Sequence, residues 1–341
     1  MFLKDIIIPD SINKFIINKK EAEKISKYYI IDFIPNLYIY GTPGSGKYTL
    51  FIKHLAKLVD EKEIKITQKS INISNQWAQI KDMILPSSDY HFEINLSKYS
   101  NNRNNLFSII DTLTESREIN SKLGYKIILI RNIHCATIEF IKYIKQKSES
   151  LIEFVRFVVI GNTCSNNLSI LNGCFFTLRV AAPNKDEIKN VLINLKQNKQ
   201  FTYSKRDFNK INLDLLINDN NNNLSLIINK LEMLLLNNNF YKTRLDIISE
   251  KLCKLLIEKK LSNLAEIREI LYEYQTNNED LNSLLIKIQN YFTIDSELLC
   301  ENKKIKLVKL LADSNKNLQN SYKEIVHIES ILFNIFSIIH T

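Results

Sequence analysis

The stretch Gly41-Thr42-Pro43-Gly44-Ser45-Gly46-Lys47 constrains this chain most, because Gly-x-x-x-x-Gly-Lys is the spacing of a phosphate-binding loop. Three of the 6 glycines in 341 residues lie inside it, so the cluster does not reflect a glycine-rich composition. Ahead of it, "NLYIY" reads as a short buried strand; behind it, "TLFIKHLAKLV" carries apolar residues at helical spacing. Strand, glycine loop and helix are the context in which backbone N–H groups turn inward on phosphates at a helix N-terminus. Lys47 is placed to reach the β and γ phosphates. The expected nucleotide-binding residues are Gly41, Thr42, Pro43, Gly44, Ser45, Gly46, Lys47, Tyr48 and Thr49. One of these departs from the motif. Where a Ser or Thr hydroxyl should follow the lysine to hold Mg²⁺, the chain has Tyr48, a phenol on a bulky ring and a poor ligand. Thr49 comes one position late, so its side chain should point elsewhere on the helix.

Beyond the loop helix, "EIKITQKSINIS" and "YHFEINLS" have alternating or β-branched character, and "NNLFSIIDTLTESREI" reads as a helix. Strand-like runs follow at 126–130, 155–161 and 175–180. Between the first two lies "ATIEFIKYIKQKSES", with Ile138, Ile141 and Ile144 assigned to one helical face. Apolar strands alternating with helices predict a parallel sheet covered on both faces. After Pro183 a helix opens, with Asn184 placed to cap it and Glu187 at capping-box spacing. From Asn184 to Thr341 there is neither Gly nor Pro, and Leu and Ile recur every three or four residues. That segment is expected to be helix and loop throughout, with a connection at the Asn run 217–223. Three regions result: a nucleotide-binding core, 1–182; a small helical lid, 183–238; and a helical domain, 239–341. The helices of the last are expected to carry broad apolar faces, such as Ile325, Ile328, Ile331, Leu332, Ile335 and Ile338, that an isolated chain could not all cover.

Lys and Arg number 46 against 37 Asp and Glu, a net charge of +9 that suits a polyanionic partner and equally a lysine-rich solvated surface. The 5 cysteines are dispersed with no C-x-x-C pair, and the 5 histidines are as scattered. Reduced thiols are expected, and neither a disulfide framework nor a zinc site. "MFLKDIIIPD" meets Lys4, Asp5 and Asp10 too soon for a signal peptide, and "IVHIESILFNIFSIIH" is short and broken by Glu329. The expectation is a soluble intracellular protein with no membrane partner.

Several longer stretches carry a family resemblance. "PDSINKFIINKKEAEKI" resembles the opening segment of replication factor C small subunits, clamp loaders of the AAA+ class, although the usual Trp and Tyr-Arg-Pro before it are missing. "GTPGSGKYTL" is similar to the one subunit type in which Gly-Lys precedes a non-hydroxyl residue and then Thr. "SSDYHFEINLSKYSNNR" (87–103) is the most specific match to that type, and "LAEIREILYEY" (264–274) resembles its collar helix. The type is the one numbered 3 in animals and 5 in yeast. The resemblance implies an α/β AAA+ P-loop parallel-sheet domain with a small helical lid and an all-helical C-terminal collar. It implies ATP or ADP as ligand, with Mg²⁺ as its companion ion where the loop still admits one. The implied partners are the other clamp-loader subunits in a hetero-pentamer, a sliding clamp and primer–template DNA gripped by its backbone. The implied location is the nucleus, or a cytoplasmic replication site if the protein is viral.

The resemblance also says where catalytic groups should stand. Hydrolysis needs an acid pair after the third core strand, and here "KIILI" runs into Arg131, Asn132, Ile133 and His134. Asn132 falls at the glutamate position, where an amide cannot take a proton from water. His134 reads as a structural residue. Asn162 matches the sensor that contacts the γ-phosphate or the attacking water. Gly173, within Asn172–Cys174, stands where the arginine finger should be, and Ser225 replaces the lid's sensor arginine. No catalytic residue is therefore expected, and nucleotide should be bound without being hydrolysed. Two alternatives stay open: an autonomous P-loop ATPase or nucleotide kinase, which would need the missing acids, and a divergent AAA+ interaction protein that has lost the clamp.

Overall fold

The structure, a computed structural model, describes residues 2–27, 35–75, 78–98, 103–115, 123–162, 166–198, 201, 203, 208–209, 211–220, 222–237, 244–258, 260, 263–276, 281–295, 299–320 and 324–340. The chain divides into two compact units, Met1–Asn239 and Phe240–Thr341.

The first unit is built on one sheet. Its strands are β1 (Leu37–Tyr40), β2 (Thr67–Asn75), β3 (Ala78–Ser87), β4 (His91–Asn95), β5 (Lys126–Arg131), β6 (Val155–Gly161) and β7 (Phe176–Arg179). They lie in the order β2-β3-β4-β5-β6-β1-β7. From β4 to β7 all pairings are parallel; β2 and β3 extend the edge as antiparallel strands. The helices of this unit are α1 (Leu3–Ile7), α2 (Lys19–Lys27), α3 (Lys47–Leu58), α4 (Arg103–Glu115), α5 (Ile138–Ser150), α6 (Lys185–Gln197), α7 (Leu213–Asp219) and α8 (Leu224–Asn237).

Strand pleating divides the apolar runs between two cores. Leu37, Ile39, Ile127 and Leu129 pack with Phe51 on one face of the sheet, whereas Tyr38, Ile128, Ile130 and Phe157 pack with Phe140 on the other. Each such side chain contributes roughly 1.5–3 kcal/mol by leaving water. β1 sits between β6 and β7, so its C-terminal end, where the phosphate loop begins, is flanked by neighbouring strand ends. Ligands of open α/β sheets bind at such carboxyl edges.

The α/β expectation holds, with local differences. β3 was not anticipated: "AQIKDMILPS" mixes Lys81, Asp82 and Pro86 into its apolar residues and has no clean alternation. On α5 the buried stripe is Phe140, Ile141, Ile144 and Ser148, while Ile138 is 45% exposed. At 3.6 residues per turn Ile138 is roughly 120° away from Ile144, too far to share its face. The helix expected over 104–119 ends at Glu115; 116–119 lie outside the described residues, as do 99–102 of the family-like stretch and 238–239 at the expected lid–collar boundary. Cys135, Cys174 and Cys253 are free thiols, as is Cys300.

Past Pro183, the α6 N-terminus forms the anticipated contact, Asn184 N donating to Glu187 Oε2 at 2.9 Å. α6, α7 and α8 bury Ile188, Leu192, Ile217 and Ile227 in a cluster of their own, and α1 joins it through Leu3 and Ile6. A five-residue helix cannot cover its own apolar pair, so α1 seats it on these helices rather than on the sheet. Leu3 N donates to the buried Glu232 Oε1 (3.1 Å), which also accepts from the Tyr203 hydroxyl.

The described elements of the second unit are helices: α9 (Arg244–Ile257), α10 (Asn263–Thr276), α11 (Leu281–Asn290), α12 (Glu301–Asn320) and α13 (Glu324–His340), with a π turn at Tyr291–Asp295. The apolar face given as the example is mostly used internally. Ile328, Ile331, Leu332 and Ile335 are buried beside Leu252, Leu271, Leu284 and Phe292, because five helices suffice to close a core around them. The exposed apolar side chains are different ones, among them Ile305, Val326 and Phe333. Among the described residues no helix is long and apolar enough to cross a membrane.

Candidate functional site: a phosphate loop with a closed metal position

The loop leaves β1 through Gly41, whose φ is +154°; a Cβ there would lie 1.9 Å from the Val180 carbonyl oxygen. Only glycine lets the chain pass this close to the segment after β7. Gly44 (φ +74°) is similarly pressed by Asn223, where a Cβ would meet Oδ1 at 1.9 Å. Asn223 Oδ1 in turn accepts from Leu226 N at the start of α8, so this helix is registered against the loop. On the other side Asn18, in the left-handed region at φ 55°, donates from Nδ2 to Ser45 O (3.3 Å) and Ala181 O (3.1 Å). Neither Asn18 nor Asn223 was singled out from sequence. Their only signal is that Asn tolerates turns and left-handed backbone.

Lys47, first residue of α3, is buried, and its Nζ donates to Gly41 O and Thr42 O, each at 2.7 Å. Burial pushes its ammonium down to about 8. Ser45 Oγ is buried with no hydrogen-bond partner among the described residues, a polar atom poised for a ligand. Thr42 and Pro43 are exposed at the loop's tip. With Gly44, Ser45 and Gly46, Thr49 edges a largely apolar cavity walled by Phe15, Ile17, Val191 and Ile228. Ser225 edges the same cavity.

Tyr48 takes a course that its sequence position did not reveal. Its hydroxyl donates to the buried Glu93 Oε1 at 2.6 Å. His91 Nε2 lies 3.1 Å from the same oxygen, and Arg131 NH1 is 3.7 Å from Oε2. The Arg131 guanidinium lies over the Tyr48 ring, 4.4 Å from its centre. Burial pushes the Tyr48 phenol up, the Glu93 hydrogen bond adds to that, and the phenol keeps its proton. Burial also pushes the Glu93 carboxyl up, but hydrogen bonds from His91 and Tyr48 and the nearby charges of His91 and Arg131 outweigh it, leaving the pKa lowered.

These residues do not fit Mg²⁺. The ion needs anionic or carbonyl oxygens in an octahedral shell. Here the hydroxyl at its position is a protonated phenol already donating, the nearest carboxylate is shared by three neighbours, and the strand end offers Arg131 and Asn132. Asn132 (φ 59°) is itself tied across the sheet edge, Nδ2 donating to Asn95 Oδ1 (2.8 Å) and Ser97 Oγ (2.9 Å). Among the described residues no cluster of three His, Cys, Asp or Glu could hold a metal.

Asn162 follows β6 directly and meets His134, its backbone N–H donating to Nδ1 at 3.4 Å. His134 is exposed, because the turn after β5 leaves it at the sheet's carboxyl edge. Partial burial lowers its pKa and the charge of Lys47 adds to this, so the imidazole stands within the lysine's field. Thus His134 and Asn162 meet at this edge. Gly173 (φ +95°) lies in an exposed turn.

No family model matches the chain. Replication factor C subunit 5 of Saccharomyces cerevisiae is 22% identical over 319 residues, 88% of each chain. Replication factor C subunit 3 of Arabidopsis thaliana is 24% identical over 54% of each chain, and replication factor C subunit 5 of Oryza sativa is 23% identical over 57% of each. Against these plant relatives the chain spans just over half their length. Among solved structures, the Aeropyrum pernix ORC1 protein in complex with DNA aligns with 98% of this chain and 86% of its own, at a TM-score of 0.46 and 12% identity. In sequence, the chain is similar along most of its length to replication factor C small subunits, of the kind numbered 5 or 3.

Proposed function

We propose that this protein is a clamp-loader small subunit that holds ATP or ADP without hydrolysing it. The observation that carries the reading is an intact phosphate cradle beside a metal position closed by Tyr48 and Glu93. Phosphates take the Gly41–Lys47 loop, the buried Ser45 hydroxyl and the Lys47 ammonium, and the base enters the apolar cavity beside Thr49. Asn162 would be the surviving sensor. With no acid after β5 and glycine at the finger position, turnover loses both water activation and charge stabilisation.

In this reading residues 1–182 are the core and 183–238 the lid, while 239–341 are the collar that joins the other subunits of a hetero-pentamer. The complex would act on a sliding clamp and primer–template DNA in the nucleus, and the surplus of 46 basic over 37 acidic residues suits the phosphate backbone. Isolation from its native source tests this: related clamp-loader subunits and a nucleotide should travel with the chain. A lone chain that turns over ATP would be an autonomous enzyme, and a complex without a clamp or its loaders would favour the interaction protein.

A further inference from the structure

The misfit to Mg²⁺ has a positive counterpart in the same residues. We infer that this site takes ADP or ATP without a divalent cation, the Arg131 guanidinium supplying the positive charge that a metal supplies in other phosphate loops. The inference rests on the nucleotide-binding reading above.

Arg131 ends β5, and its guanidinium is set on the face of the Tyr48 ring, 4.4 Å from the centre. Tyr48 lies in the first turn of α3, the helix that Lys47 opens, and Arg131 stands at the carboxyl end of β5, so the second cation belongs to the same carboxyl edge of the sheet as the loop. Its position is held from two sides, by the ring and by the buried Glu93 carboxylate. At 3.7 Å the Glu93 contact is an ion pair too long for a hydrogen bond, which leaves guanidinium N–H groups for phosphate oxygens. The side chain is 38% exposed, enough for a ligand to reach it. A planar fork of donors suits a polyphosphate better than a point charge does, and it needs no dehydration of a bound metal. A divalent ion in the same place would face Arg131 directly and find no free carboxylate. Tyr48 and Arg131, each a departure from the motif when taken singly, form one device.

The test is calorimetric titration of the full-length protein with ADP and with ATP, in EDTA and in MgCl₂. The expected result is binding of equal strength in both buffers, within about threefold. Binding only with Mg²⁺, or about tenfold tighter with it, overturns the inference while leaving the nucleotide-binding reading intact. No binding in either buffer sinks that underlying reading instead. Arg131→Ala should weaken binding in EDTA by about tenfold or more, as expected for loss of a charge-assisted phosphate contact. Unchanged affinity of that variant in EDTA would remove Arg131 from the role. Should the variant not fold, Arg131→Lys keeps the charge without the fork, and is expected to bind more weakly in EDTA; affinity equal to the parent would again count against the guanidinium.

Discussion

Lys47 carries its charge in a buried setting, and burial makes that charge sensitive to pH. Polyphosphate favours the ammonium, so binding raises a pKa that stands at about 8 in the free protein. Affinity should be full below pH 8 and fall as pH rises through it, by at most about tenfold per unit. ADP titrations at pH 7, 8 and 9 read this directly; a flat profile would mean that Lys47 does not meet the phosphates. Lys47→Ala should bind more weakly at pH 7 and lose the dependence. At this scale the glycines and the lysine were legible, since one contiguous motif fixes their geometry. Glu93, Asn18 and Asn223 were not. Glu93 meets Tyr48 from 45 residues away, and Asn18 reaches Ala181 across 163, so their partners exist only once the sheet has formed. Tyr48 could be seen as the wrong ligand, but what it does instead depends on a buried carboxylate on β4.

Helix α3 carries a second buried base. His54 is fully buried, and neither ring nitrogen has a partner among the described residues. Burial lowers its pKa to about 4, with a smaller contribution from the charge of Lys57. A neutral imidazole costs the fold little above pH 6.5, where the unfolded chain is neutral too. As pH falls from 6.5 towards 4 the unfolded chain takes up a proton that the folded one refuses, a loss of about 2 kcal/mol by pH 5. Urea unfolding at pH 7 and pH 5 should therefore show His54→Leu keeping about 2 kcal/mol more of its stability than the parent. Equal losses in both would contradict the burial. Element patterns were read well where one rule decides, as in the apolar runs of β5 and β6. They failed where two rules compete. β3 breaks its alternation with charge and proline, and the α13 face looked like an interface because sequence cannot say whether neighbouring helices will cover it.

The whole molecule is two units with separate cores, and its collar assignment can be tested by dividing them. Protein comprising residues 1–239 should fold cooperatively and keep its nucleotide affinity, yet no longer co-purify with other subunits. Continued assembly would move the interface into the first unit. That the described parts of the C-terminal third are helix and connections was evident from its lack of Gly and Pro; that α1 belongs with the helices after Pro183 was not, since 181 residues separate Leu3 from Asn184 only in sequence. An intact cradle is proposed to persist beside an inert chemical site. It is tested most directly by measuring, on one purified preparation, bound nucleotide by calorimetry and phosphate release over time, with Lys47→Ala alongside. The expected result is saturable binding weakened by Lys47→Ala, and phosphate release no faster than that of the variant. Steady release abolished by Lys47→Ala would contradict it.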